Sequence, residues 1–454
     1  MKRSAWRYLW TAQDVRRKLL ITVLILTIYR LVSHVPVPGA NPAALSQILK
    51  GGSAAGTFVG ILDLLSGGTV SNFSVLAMGV YPYITAQIIL QLLVPIIPAL
   101  QRRMEEDPRE GQKWMDKWTY ILSVPMAALQ AIGQINIFNS LASQGGLPPI
   151  ISNFGFTAAN WLPTLTILLS MTAGTMFAIW LGELISEYGI RNQGLSLIIF
   201  SGIVSRIPAT LLGIWADQAH RWFSLIFMVV TTTLVIFAIV YVQQGRRNVP
   251  VMYPGRRVGS RMSMPVKGTL PLMVNMAGMI PLIFAQSILT FPAIIASYFV
   301  VSKTTWIAAF SSEIQKIFSG NSPAYWILYF LMVVAFSFFY TDVLFSQQNY
   351  GENLKKVGAQ IPGVSRGAPT QRYLTKVLRR ITFPGALFLG IVAILPFLLS
   401  SLLSALGIGL GSQSNILLVT SAGLLIVVGV VRDTFFTIDA ELKLHGYDES
   451  LLVR

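Results

Sequence analysis

Apolar windows of about twenty residues recur along the whole chain, separated by polar stretches, and that is the length needed to cross a bilayer as helix. We read ten spans, at roughly 19–37, 74–97, 118–138, 160–182, 194–215, 222–243, 270–298, 324–345, 382–404 and 414–431. The pattern predicts an all-α polytopic membrane protein with ten transmembrane helices. Five spans per half is an odd number, which turns the second half upside down relative to the first. The expected organisation is two inverted five-helix halves, residues 1–215 and 216–454.

Two of these spans break in the same way. The second reads Gly79-Val80-Tyr81-Pro82-Tyr83-Ile84, and the seventh reads Gly278-Met279-Ile280-Pro281-Leu282-Ile283. Proline removes a backbone donor and clashes with the preceding turn, and glycine loosens the chain further. A bilayer tolerates such a break where protein or a water-filled cavity satisfies the freed backbone groups. Matched breaks in two halves point to a pathway between them. Two ordinary kinked helices would give the same pattern. The loop 38–73 is long and glycine-rich, and within it Phe58, Ile61, Leu62, Leu64 and Leu65 make an apolar segment too short to cross. That segment, about 57–66, reads either as a short re-entrant or plugging helix or as an interfacial helix on the outer surface.

Charge adds a direction. Charged residues are 11% of the chain, against roughly 25% in soluble domains, and the net charge is +16. All but six of the 34 Lys and Arg (Arg30, Lys50, Arg206, Arg221, Lys303 and Lys316) lie in the two terminal segments or in the loops near 99–117, 183–193, 244–268 and 346–380. By the positive-inside rule this side, with both termini, is cytoplasmic. Arg16-Arg17-Lys18 precede a first span with no small-residue cleavage site, so that span reads as a retained anchor. One basic loop carries Arg246, Arg247, Arg256, Arg257, Arg261 and Lys267; another carries Lys355, Lys356, Arg366, Arg372, Lys376, Arg379 and Arg380. Topology alone explains part of this. Protrusions of this length also suit docking of RNA phosphates or of an acidic protein.

Catalytic chemistry is missing from the pattern. Cysteine is absent, and no phosphate-binding loop, zinc motif or nucleophile elbow occurs. His34, His220 and His445 lie far apart, and Glu183, Asp342 and Asp433 sit near span ends rather than at mid-depth. No catalytic residue, metal or cofactor is expected, and an intramembrane protease lacks its acid pair. A secondary transporter with an inverted five-plus-five repeat remains the alternative, although mid-membrane ionisable groups are scarce.

The segment Ser74–Leu93 closely resembles a signature of the SecY family, the pore subunits of the protein translocase, as do Leu272–Phe284, Phe383–Phe388 and Leu424–Val428. The resemblance runs in order from the basic N-terminal segment to the tail. It implies a gated channel that passes unfolded secretory polypeptides and releases nascent membrane helices sideways into the lipid bilayer. It implies a pore ring of Val80, Ile84, Leu195, Ile199, Ile280 and Ile426, and a plug at about 57–66. It implies a lateral gate between spans two and seven, with Gly79, Pro82, Thr85, Gln130, Asn275, Gly278 and Pro281. The implied partners are SecE-like and SecG-like subunits, the SecA motor and the ribosome with its ribosomal RNA. Arg246, Arg247, Arg256, Arg257, Arg261, Lys355, Lys356 and Arg366 would receive the motor or ribosome. The implied setting is a bacterial plasma membrane, or a thylakoid membrane. Three places depart from the family's usual pattern: Arg191 and Gln193 after span four, Arg366 displaced by one position, and Asp342 where a small apolar residue is usual.

Overall fold

The computed structural model describes residues 13–41, 69–70, 73–94, 97–144, 148–151, 154–155, 160–216, 221–254, 257–258, 261–262, 266–299, 305–318, 322–405 and 414–444. The expected plug, with Phe58, Ile61, Leu62, Leu64 and Leu65, lies outside the described residues, as does Arg256. The helices are α1 (Gln13–Val32), α2 (Tyr81–Leu93), α3 (Pro98–Glu106), α4 (Pro108–Gln144), α5 (Trp161–Tyr188), α6 (Gly194–Ala216) and α7 (Arg221–Gln244). After a hairpin come α8 (Ile280–Phe299), α9 (Thr305–Phe318), α10 (Pro323–Gln347), α11 (Tyr350–Lys356), α12 (Ala368–Ala405) and α13 (Ser414–Leu444).

Each of the ten apolar windows carries a helix. Among the described residues five helices are long and apolar enough to cross a membrane, and α2 with α3 makes a sixth if their 96° bend counts as one broken span. Pro98 opens α3 at that bend, where it withholds a donor from the ladder. Two windows start later than the hydropathy suggests. Helix begins at Tyr81 rather than 74, and at Ile280 rather than 270. The prolines give the reason. Pro82 and Pro281 each stand second in their helix, within a first turn whose N–H groups have no intrahelical acceptor.

The loop expected at 244–268 is instead a β-hairpin that runs into the seventh window. Strand β1 (Arg246–Tyr253) pairs antiparallel with β4 (Val266–Met273), from Arg246 opposite Met273 to Tyr253 opposite Val266. A second small ladder, β2 (Arg257–Val258) and β3 (Arg261–Met262), lies between them in the chain. Val249 and Val251 alternate inward while Arg246, Arg247 and Asn248 are exposed, the period-two pattern of a ribbon with one dry face.

The chain forms two compact units by internal contact. The first comprises Met1–Val230, Ser287–Trp326 and Pro396–Arg454; the second comprises Thr231–Gln286 and Ile327–Leu395. In the first unit α4 packs on α2, α3 and α5, and α6 packs on α5, α1 and α13. Its core joins Phe73 and Ala77 from the stretch before α2 to Ala127, Ala131, Ile135 and Phe138 of α4, Met171 of α5 and Ile294 of α8. Phe73 and Phe138 meet edge to face at 5.5 Å. In the second unit the dry face of the hairpin, with Val249, Val251 and Leu272, packs with Phe345, Ile361, Leu374 and Leu378. The Met252 and Gln360 backbones exchange two hydrogen bonds, 2.8 and 2.9 Å, that fasten the hairpin to the chain after α11. The two basic loops therefore share one folded core.

Candidate functional site

The matched breaks have matched geometry. Gly79 and Gly278 both take left-handed backbone, with φ of 51° and 64°, a region that costs a residue with a Cβ but not glycine. Each stands three residues before the proline, so turn and helix start follow in fixed order. Before α2 the chain runs through tight turns, with Gly79 N–H donating to Leu76 O and Tyr81 N–H to Met78 O. Before α8 the side chain of Asn275 donates to Gly278 O at 3.0 Å, a local clamp on the turn.

The expected gate residues divide between the two units. In the first, Gln130 of α4 donates through Nε2 to Thr85 Oγ1 of α2 at 3.2 Å, and Thr85 donates on to Tyr81 O at 3.0 Å. Tyr81 Oη donates to Ser287 O of α8 at 3.2 Å. Gly133 of α4 lies so close to Ile294 of α8 that a Cβ there would collide with it. Tyr81, Thr85 and Gln130 are buried, and Gln130 Oε1 has no hydrogen-bond partner. Beside it a cavity of about 20 Å³ is walled by Tyr81, Gln130, Gln134, Met78 and Ile294, room for roughly one water. A buried amide with half its capacity unused is a weak fastening that costs little to exchange for another partner. Pro82 is buried in α2; Asn275, Gly278 and Pro281 belong to the second unit.

Of the expected ring, Val80, Ile84, Ile199 and Ile426 are buried, and Leu195 and Ile280 are half-buried. Val80 and Ile84 are joined by an Ile84 N–H to Val80 O bond across the start of α2. Ile199 and Ile426 ride on α6 and α13, which pack together. Leu195 lies against Gly182 of α5, where a Cβ would stand 2.8 Å from its Cδ2. Ile280 opens α8 in the second unit.

The basic residues occupy distinct places. Arg246 and Arg247 are exposed at the base of the hairpin, and Arg257 and Arg261 belong to the small ladder. Lys355 and Lys356 are exposed in the last turn of α11, where the helix dipole favours cations. Arg366 is exposed just before Gly367, whose φ of 89° turns the chain into α12.

Three contacts escaped the sequence reading. Asp342 of α10 receives Arg379 of α12, with Nη2 to Oδ2 at 2.8 Å and Nε to Oδ2 at 3.1 Å. That accounts for the acid in a span end; the available signal was an arginine equally close to the end of the next span. Lys18 of α1 pairs with Glu441 of α13 at 2.6 Å, and the Tyr81–Ser287 bond needs a backbone acceptor that no side-chain pattern marks. At the departure after span four, Asn192 takes left-handed backbone with φ of 57°. Gly189 presses on Thr22 of α1, and Gly194 presses on the Gly182 carbonyl, each without room for a Cβ.

Comparison with known proteins agrees over nearly the full length. The SecY family model matches residues 74–435. A protein of Streptomyces galbus described as "Protein translocase subunit SecY" is 34% identical, covering 98% of this chain and 99% of its own. One of the same description from Aquifex aeolicus is 36% identical, covering 97% of each. Among solved structures, one described as a protein conducting channel superposes with a TM-score of 0.60 at 17% identity, covering 96% of this chain and 93% of that one.

Proposed function

The chain belongs to the SecY family, a multi-pass membrane channel subunit of the protein translocase and not an enzyme, and from that premise we propose which residues conduct, gate and dock. Val80, Ile84, Leu195, Ile199, Ile280 and Ile426 form the constriction. Branched apolar side chains offer a polar chain no fixed partner, exclude ions by dewetting, and part around any side chain. The segment about 57–66 closes the outer funnel at rest. The halves 1–215 and 216–454 act as jaws, and the gate to lipid opens between spans two and seven, where Gly79, Pro82, Thr85, Gln130, Asn275, Gly278 and Pro281 lie. A transporter is not favoured, since the relatives matched over the whole chain are translocase subunits.

Signal sequences and nascent membrane helices compete with the Gln130–Thr85 contact for the gate. The exposed Arg246, Arg247, Lys355, Lys356 and Arg366, with Arg256, Arg257 and Arg261, receive SecA or ribosomal RNA, which supply the energy. SecE-like and SecG-like subunits complete the channel in a bacterial plasma membrane, both termini cytoplasmic. The observation that carries this reading is the pair of helix starts that each follow a left-handed glycine, Gly79 and Gly278, three residues before a proline, in a chain similar to SecY over nearly its full length.

Site-specific photo-crosslinking from Ile84 to a stalled secretory precursor in native membranes tests it. A precursor adduct that requires a functional signal sequence is expected. No adduct at Ile84, nor at Val80, Ile199 or Ile426, removes the ring assignment.

A further inference from the structure

On α12 a basic stripe continues into an apolar one along a single helix face. Arg372, Lys376, Arg379 and Arg380 are exposed and, with Gln371 and Thr375, line an open groove. Their spacing, three, four and eight residues apart, keeps them on one side of the helix. The same interval leads onward to Phe383, Leu387 and Ile391; Phe383 is 54% exposed, Ile391 is 47% exposed, and Leu387 is half-buried. Asp342 grips Arg379 from α10 and supplies the acid of this neighbourhood. Among the described residues no carboxylate pairs with Arg372, Lys376 or Arg380.

We propose that this stripe binds one anionic phospholipid, with its phosphate on Lys376 and Arg380 and its acyl chains along Phe383, Leu387 and Ile391. The continuity favours an amphiphile, because the basic half abuts the part of α12 that is apolar enough to lie in a bilayer. RNA or an acidic protein would engage the charges alone. The dimensions fit as well. Lys376 and Arg380 are roughly 6 Å apart along the helix axis, close to the roughly 5–7 Å headgroup layer on each side of a bilayer. Asp342 neutralises Arg379 and repels phosphate from that flank, so the headgroup is held on the Lys376–Arg380 side. Arg372, about one further turn from the membrane, lies outside the headgroup layer.

The chain has no cysteine, so L387C places one fluorophore on the acyl half of the stripe. The full chain, in phosphatidylcholine nanodiscs, is titrated with nitroxide-labelled phosphatidylglycerol and, separately, with nitroxide-labelled phosphatidylcholine. The expected result is quenching at least threefold steeper with phosphatidylglycerol. That excess disappears in K376E/R380E, persists in R372E, and weakens with salt. Matching thermal midpoints for the three proteins keep misfolding apart from lost binding. Equal quenching by the two lipids overturns the proposal, as does an excess that survives K376E/R380E. So does an excess that a soluble RNA oligonucleotide abolishes, because the stripe is then a polyanion dock. The measurement involves no precursor and stands apart from the pore assignment.

Discussion

Gly79 and Gly278 hold backbone that an L-residue with a Cβ adopts only at a cost. Neither G79A nor G278A can relax into ordinary helix, because Pro82 and Pro281 fix where each helix begins. Each substitution is expected to remove about 1–2 kcal/mol, read as a lowered thermal midpoint in detergent. The G-x-x-P pattern made the breaks legible. Their nature was not, because a kink inside a helix and a helix that starts late have the same composition. Thr85 and Gln130 couple in a different way. A double-mutant cycle of T85V and Q130L on thermal stability should return an interaction of roughly 0.6–1.7 kcal/mol; strict additivity would remove the hydrogen bond from the account. The orphan Gln130 Oε1 lowers the cost of Q130L alone, since its deletion relieves an unpaired buried acceptor, and cancels from the cycle.

Helices were legible from apolar length, and the hairpin was not. Leu270-Pro-Leu-Met273 reads as the opening of a span, since a short apolar run fits strand and helix alike. What decides is the long-range pairing with Arg246–Tyr253 and the shared core with Phe345 and Leu374. Close helix approaches were equally hidden. Gly390 of α12 faces Phe330 of α10, and a Cβ there would stand 2.7 Å from two ring carbons. G390V is therefore expected to push α10 from α12 and lower the thermal midpoint by several degrees, an overpacking penalty of about 1–3 kcal/mol. G390V paired with F330A, which makes room, should recover part of that loss. Recovery would place the defect at this seam; no recovery would assign it elsewhere in α12.

Charge asymmetry across the whole chain marked out the two basic loops, but not that they fold together. The candidate site was legible through family resemblance more than through chemistry, because the branched apolar side chains proposed for the ring have no reactive signature. If docking is electrostatic, R246E/K355E/R366E should weaken ribosome binding and flatten its log–log dependence on salt by up to about 0.9 per lost phosphate contact; an unchanged slope would assign these cations to topology alone. Gly245 accepts from Val274 N–H at 2.9 Å, closing the ribbon at its base. Six residues separate the end of the ribbon at Met273 from the start of α8 at Ile280, and Gly278 and its Asn275 clamp lie among them. Eight paired residues make a ribbon of roughly 27 Å, tied through Met252 to the chain after α11 and rooted at the turn that carries Gly278. A load on its outer end is shared between that tie and torque at its root. A partner that docks on the hairpin, as proposed, would thereby hold a handle on the start of α8 as well.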